Sequence, residues 1–338
     1  MLPAARGAPP PSLDEFPPAL MNYYSGYEAV SFELLENERR VPAIPSGIIP
    51  NTLGASDGPV ASSNVALLCF ESDIFAAFGG LFDHSVLVRS LSGVSGDMRV
   101  QAHRGRVVKV YSTPDSQHML TGSEDTTFVL WSCTLAKGNY HKLNVSPIFT
   151  IYGHEDNPSA AAVCNVCDVV ATASVDGVLL LHSISGGSLE ETVRHPLNYS
   201  VDRILIQSSC YVPNILYTSN RDHVVHQISI NGAPLRSFNA PGRITAWCAT
   251  AHQFLLVAYQ PFHNETVVVE ASQQTMSNTP CVVYYHALSL TSEKTVFLTN
   301  TCPVQVLSCH FSNPQVVIGG TAEGSLVLVR SCRQQPGV

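Results

Sequence analysis

The chain has 338 residues, 45% of them hydrophobic and only 13% charged, a balance that can bury a large core and excludes an intrinsically disordered chain. Its formal net charge of −8 argues against general nucleic-acid binding and against charge-driven attachment to acidic membranes, both of which need a basic surface.

Taken in chain order, residues 1–26 read as a flexible leader or linker, since Met1 to Pro18 is rich in Pro, Ala and Gly and has little periodicity. It also lacks the apolar stretch of a secretory signal. A cytoplasmic location is therefore expected, with peripheral association at endomembranes only through partners. In that compartment the 10 cysteines are expected to stay thiols, mostly as small core residues. The longest apolar candidate, Ala160 to Leu181, is broken by Asn165, Asp168 and Asp176, so no membrane span is expected.

Beyond the leader, short runs of Val, Ile, Leu, Tyr and Phe recur between turn-forming residues, as at Asn64 to Phe70, Ser85 to Ser90, Arg106 to Tyr111, Thr127 to Ser132 and Val178 to Ser183. This is the pattern of many short antiparallel strands, with almost no helical periodicity. The strands recur as units. One runs from His103 through Thr121 and Asp125 to Trp131, and the next, 51 residues on, from His154 through Thr172 and Asp176 to His182. In both, the His precedes the Asp by 22 residues, the Thr precedes it by four, and the last marked residue follows it by six. Fainter copies surround Asp83, Asp222, the pair Phe254–Tyr259 and Cys281–Leu290, and Val316–Val329. Six units are thus recognisable, and the segment from Tyr27 to Asn51 is expected to supply a seventh, in part as an outer strand that closes a ring against the C-terminal unit. Residues 27–333 are read as one all-β domain of four-stranded antiparallel sheets, and 334–338 as a tail.

The two regular units resemble the WD40 repeat, and the resemblance implies a β-propeller; at about 42 residues per blade the chain can supply seven blades, with six the alternative. The resemblance also implies that His103, Thr121, Asp125 and Trp131 form a structural hydrogen-bonded tetrad, repeated at His154, Thr172 and Asp176 with His182 in place of the Trp. The order of Leu81 to Ser90, Leu120 to Thr127, Ser229 to Gly232 and Ile318 to Ser325 resembles the C-terminal WD40 region of BEACH-domain proteins of the neurobeachin type. That resemblance implies a protein-interaction scaffold in vesicle traffic, lysosome-related organelles or autophagy, with other proteins as partners. A BEACH domain is not visible; the residues before Tyr27 are too few to hold one, so the chain reads as a C-terminal fragment, a truncated gene model or a stand-alone relative.

His103, Thr121 and Asp125 also contain the residue types of a catalytic triad, but a similar set recurs at His154, which favours a structural role. Cys164-Asn165-Val166-Cys167 has redox or half-zinc spacing. It has no second CxxC and is placed on a strand, so it is read as having a core or edge role. There is no HExxH, no phosphate-binding Gly-rich loop and no dinucleotide fingerprint, so neither metal nor cofactor is expected. Arg104 and Arg106 are candidate partner contacts at the start of the most regular unit. Phe262 and Met276 are candidates in the least repeat-like segment, Gln260 to Thr279. The rival readings are a small ligand or enzyme site in a central channel, and a phosphoinositide-binding propeller, which lacks its Phe-Arg-Arg-Gly motif here.

Overall fold

The computed structural model describes residues 30–32, 64–70, 73–92, 95–136, 139–208, 212–249, 254–260, 267–269, 272–276, 280–287, 289–297, 303–309, 316–321 and 326–333. They form strands and turns, and no helix among them is long and apolar enough to cross a membrane.

The first four-stranded sheet is β2 (Val65–Cys69), β3 (Ile74–Phe78), β4 (Val86–Ser90) and β5 (Met98–Val100). The second is β6 (Val107–Ser112), β7 (His118–Ser123), β8 (Phe128–Ala136) and β9 (Asn139–Ile151). β10 (Pro158–Cys164), β11 (Val169–Ser174), β12 (Val178–Ser183) and β13 (Leu189–Arg194) make the third, and β14 (Arg203–Gln207), β15 (Asn214–Thr218), β16 (Val224–Ser229) and β17 (Pro234–Asn239) the fourth. The fifth pairs β18 (Arg243–Ala249), β19 (Phe254–Gln260), β22 (Cys281–His286) and β23 (Ser292–Phe297), with the ribbon β20 (Val267–Val269) and β21 (Ser272–Met276) inserted between its second and third strands. The sixth is β24 (Val304–Cys309), β25 (Val316–Thr321) and β26 (Leu326–Arg333), completed by β1 (Val30–Phe32) from the other end of the chain.

Each sheet is a meander of consecutive antiparallel hairpins, and the six sheets are the six units marked in the sequence. A seventh is not among the described residues. The expected seventh segment instead contributes, in its described part, the closing strand: Val30 to Phe32 pair with Arg333 to Ser331, which covers the edge that β26 would otherwise expose. The leader 1–26 and the tail 334–338 lie outside the described residues.

Innermost strands pack in sequence, β2 on β6, β6 on β10, β10 on β14, β14 on β18 and β18 on β24. The apolar clusters accordingly lie between neighbouring sheets. One joins Phe75, Val86 and Val88 to Val107, Met119, Val129 and Trp131, and another joins Leu179 and Leu181 to Ile204, Ile215 and Tyr217. At about 1.5–3 kcal/mol per fully buried large apolar side chain, these shared faces are the main cohesive force. Outer strands β13 and β17 are almost wholly exposed and carry Glu190, Glu191, Arg194 and Arg236, which discourage edge pairing.

The repeat is visible in the backbone as well. A register shift interrupts the innermost strand at Val107/Lys109, Pro158/Ala160, Ile244/Ala246 and Val304/Val306. A second recurs where the third strand meets the fourth, at Leu130/Trp131, Leu181/His182, Gln227/Ile228 and Tyr284/Tyr285. Because strands alternate in direction, the loop entering each sheet, the turn between its second and third strands and the loop leaving it all emerge at one end. That end brings the conserved-spacing residues together.

Candidate functional site

At that end of the second sheet, the entering loop holds His103 against the β7–β8 turn. Thr127 Oγ1 donates to Asp125 Oδ1 at 2.6 Å, so its oxygen can only accept from His103 Nδ1, 3.2 Å away. Burial lowers the His103 pKa below its ordinary value, opposed in part by Asp125, so the ring is neutral and Nε2 must accept. It takes the hydroxyl proton of Thr121 at 2.7 Å, and Thr121 Oγ1 accepts Trp131 Nε1–H at 2.8 Å. The result is a directed chain from Trp131 through Thr121 and His103 to the Thr127–Asp125 pair. His103 Nδ1 is also 3.5 Å from Asp125 Oδ2.

Asp125 ties this chain to the entering loop, accepting the backbone N–H of Arg104 at 2.7 Å and of Gly105 at 3.2 Å. Burial pushes its carboxyl up, but hydrogen bonds from Thr127 and the Arg104 N–H outweigh it and hold the pKa at about 2. Gly105 sits so close that a Cβ there would lie 2.6 Å from Asp125 N.

The third sheet repeats the arrangement. His154 Nδ1 meets Ser174 Oγ at 2.8 Å and Nε2 meets Thr172 Oγ1 at 2.9 Å, while Ser174 donates to Asp176 Oδ1. Burial pulls the His154 pKa down to about 4. His182 takes the ladder position of Trp131, opposite Val170 as Trp131 is opposite Met119. Its Nδ1 is buried without a partner, and no hydrogen bond joins it to Thr172 among the described residues. Thr121 and Thr172 are fully buried. Neither hydroxyl can reach a substrate, so these sets satisfy buried polar groups.

The fourth sheet holds a version that sequence spacing did not reveal. His195 occupies the same entering loop, directly after β13, but stands eight residues before β14, against four for His103 and His154 before their strands. Its separation from Asp222 is therefore 27 residues. Tyr217 and His226 face each other in the ladder as Thr121 and Val129 do. His195 Nε2 lies 3.2 Å and His226 Nε2 4.0 Å from Asp222 Oδ2. His195 stacks on Tyr199 at 5.7 Å and meets His226 edge-on at 5.0 Å between ring centroids. Burial lowers the pKa of both histidines, and Asp222 opposes it.

Two comparisons bear on this repeated, histidine-centred architecture. The family model "WD domain, G-beta repeat" matches residues 94–132, which contain the whole first tetrad. The WD40 β-propeller domain of Doa1 is similar over 78% of this chain and 75% of that one, with TM-score 0.53 and 15% identity. A chain of the mitotic checkpoint complex is similar over 79% and 73%, with TM-score 0.58 and 14% identity. The chain has the WD40-type β-propeller fold.

Among curated proteins, this propeller is similar to BEACH domain-containing protein B of Arabidopsis thaliana, at 25% identity over 212 residues, which is 58% of this chain and 8% of that protein. It is also similar to BEACH domain-containing protein lvsD of Dictyostelium discoideum, at 27% identity over 90 residues, 27% of this chain and 3% of that protein. The chain thus spans less than a tenth of the length of these relatives.

The tetrad end of the propeller carries the exposed anchors. Among the described residues the exposed aromatic side chains are Phe82, 69% exposed in the β3–β4 turn, and Tyr152, 71% exposed in the loop entering the third blade. Both are on this end. Arg104 is exposed in the loop entering the second blade, with its backbone N–H engaged by Asp125. Arg106 is half-buried, and its Nε donates to Gly80 O at 3.2 Å, which ties the first blade to the second. Phe262 lies outside the described residues. Met276 ends β21, and that ribbon connects a second strand to a third, so it too emerges at the tetrad end; the segment read as a loop contains this hairpin. The CxxC is displaced from its expected strand: Cys164 ends β10 and Cys167 stands in the turn after it. Burial, with Cys164 alongside, pushes the Cys167 thiol up to about 12, the opposite of a reactive thiolate.

Proposed function

We propose that this propeller is a non-catalytic protein-interaction module whose contact surface is the tetrad end, and that it serves as the propeller part of a BEACH-type scaffold in vesicle traffic, lysosome-related organelles or autophagy. The observation that carries the reading is the division of labour at that end. In the second and third blades the His, hydroxyl and carboxylate groups are locked into blade-to-loop hydrogen bonds, while Arg104 and Tyr152 on their entering loops and Phe82 on the β3–β4 turn, which Asp83 and Ser85 brace, are exposed. Aromatic and Arg side chains on a rigid frame are the residue types that dominate binding energy at interfaces. The BEACH-type role rests on the two curated relatives.

The test is proximity labelling with the full chain and with a variant in which Gln260 to Thr279 is replaced by a short Gly-Ser loop, both checked for folding. Loss of specific neighbours by the folded variant supports the module and places the segment that holds Phe262 and Met276 at the interface. A neighbour set no different from background for both chains overturns it.

One observation favours a second reading, a small anionic ligand in the channel. Lys109, Asp202, Arg203 and Arg243 come from the second, fourth and fifth blades yet influence one another electrostatically, which places them near the axis. Arg203 Nε is buried without a partner. Inorganic pyrophosphate raising the unfolding temperature of the wild type and not of Arg203→Gln is the result expected of that reading; no shift in either removes it.

A further inference from the structure

We propose that His195, Asp222 and His226 form a binding site for a divalent transition-metal ion of zinc character, at the boundary between the third and fourth blades. One ligand atom from each residue, His195 Nε2, Asp222 Oδ2 and His226 Nε2, lies within 4.8 Å of the other two. Ligand atoms about 2.0–2.1 Å from a tetrahedral zinc ion stand about 3.3–3.4 Å apart, so the 3.2 Å from His195 to Asp222 already fits. The 4.0 Å from His226 to Asp222 needs a side-chain adjustment of well under an ångström.

The second observation is an unmet need for a partner. Both Nε2 atoms are buried and lack a hydrogen bond; His195 Nε2 approaches the carboxylate at a distance but not at an angle that makes one. His195 is 1% exposed. In the two regular blades the equivalent histidine is satisfied by hydroxyls, Thr121 with Thr127 and Thr172 with Ser174. In the fourth blade no hydroxyl meets His195 Nε2. Tyr217 stands opposite His226 where Thr121 stands opposite Val129, and Val224 follows Asp222 by two as Thr127 follows Asp125, while the neighbouring hydroxyls are engaged elsewhere, Thr218 donating to Val224 O and Ser219 accepting the Arg221 N–H. A second imidazole enters instead. Two imidazoles and a carboxylate are a donor set suited to zinc and its neighbours, and unsuited to calcium or magnesium, which prefer oxygen.

Burial favours the neutral, ligating form of both rings, and Tyr199, stacked on His195, with Tyr217, edge-on to His195 and stacked on His226, fixes their planes. Coordination through Nε2 moves the remaining His195 ring proton to Nδ1, which now accepts the Leu197 N–H at 3.2 Å. That amide must turn away, so its protection from hydrogen exchange reports occupancy independently of affinity. Three protein ligands leave one tetrahedral position for water.

The experiment is calorimetric titration of the full chain with Zn²⁺ at pH 7.5, together with Co²⁺ as a spectroscopic probe, on wild type, His226→Gln and Asp222→Asn. Expected are one ion per chain, a dissociation constant below about 10 µM, a Co²⁺ spectrum without thiolate charge-transfer bands, and at least about 10-fold weaker binding in either variant. His182→Gln, which changes a buried histidine outside the cluster, retains wild-type binding. No zinc binding by the wild type, unchanged affinity in folded His226→Gln, or a thiolate-type Co²⁺ spectrum overturns the assignment. Because the wild-type spectrum and the Leu197 exchange need no substitution, the proposal stays testable if a variant fails to fold.

Discussion

The directed hydrogen-bond chain in the second blade makes a quantitative prediction through Thr121→Val, which keeps the shape of the side chain and removes its hydroxyl. Two groups then lose their partner, Trp131 Nε1–H and His103 Nε2, which meet the Thr121 oxygen at 2.8 Å and 2.7 Å. Each unsatisfied buried group costs about 1–3 kcal/mol, and the two share one oxygen, so the expected loss is about 2–4 kcal/mol. Thr172→Val is the built-in comparison. There the ladder position of the Trp holds His182, which makes no bond to Thr172, so only His154 Nε2 loses a partner and the expected loss is about 1–3 kcal/mol. Urea unfolding of both variants at pH 7.5, with equal denaturant slopes as the check that compactness is unchanged, measures the difference. A Thr121→Val loss no larger than that of Thr172→Val, or both below about 0.5 kcal/mol, would refute the proton directions assigned to the chain.

Acid should weaken the fold well before the carboxylates titrate. The His154 pKa is about 4 in the folded chain against 6.5 in the ordinary ring, so the unfolded chain binds the proton first, and stability is complete above about pH 6.5 and falls as pH drops toward 4. At pH 5 this one residue removes about 2 kcal/mol, read as a lower urea midpoint than at pH 7.5; an unchanged midpoint contradicts the burial argument. Gly177→Ala places a Cβ 2.6 Å from Tyr199 O at a residue with φ +83°, and is expected to cost about 1–3 kcal/mol in the same assay, whereas a neutral result would mean the turn is free to adapt. Deleting residues 1–32 removes β1 and uncovers β26, so the truncated chain is expected to unfold at lower temperature and to self-associate by size-exclusion chromatography; a stable monomer would show that closure through Val30–Phe32 is dispensable.

Strand pattern and repeat spacing made the second and third blades legible, because their entering loops place His103 and His154 at one fixed distance from Asp125 and Asp176. The fourth blade escaped the same rule for a physical reason. Its entering loop is longer, so His195 reaches Asp222 from 27 residues away and no local pattern marks the meeting. Pairing of β1 with β26 joins opposite ends of the chain through three residues, and so short a strand carries no periodicity of its own. The strand seen at Thr127 to Ser132 is the start of a longer hairpin, β8 with the 13-residue β9, whose extension packs Cys133 and Leu143, with Leu135 and Val145, onto the cluster shared by the first two blades. The CxxC is expected on a strand, yet Cys167 stands in the turn after β10, where Asp168 adopts φ 54°. Exposure of Phe82 and Tyr152 was invisible for a similar reason, as an apolar residue in a strand-rich sequence is read as core until the turn beneath it is known.

The most direct test of the account is the affinity of a captured partner for two folded surface variants, Phe82→Ala/Arg104→Ala/Tyr152→Ala at the tetrad end and Val166→Ala/Val212→Ala, which changes exposed residues in turns of the opposite end. The account predicts that the first loses about 100-fold or more in affinity while the second binds as the wild type does. Equal affinity for the first variant and the wild type, or a loss confined to the second, would contradict the tetrad end as the contact surface.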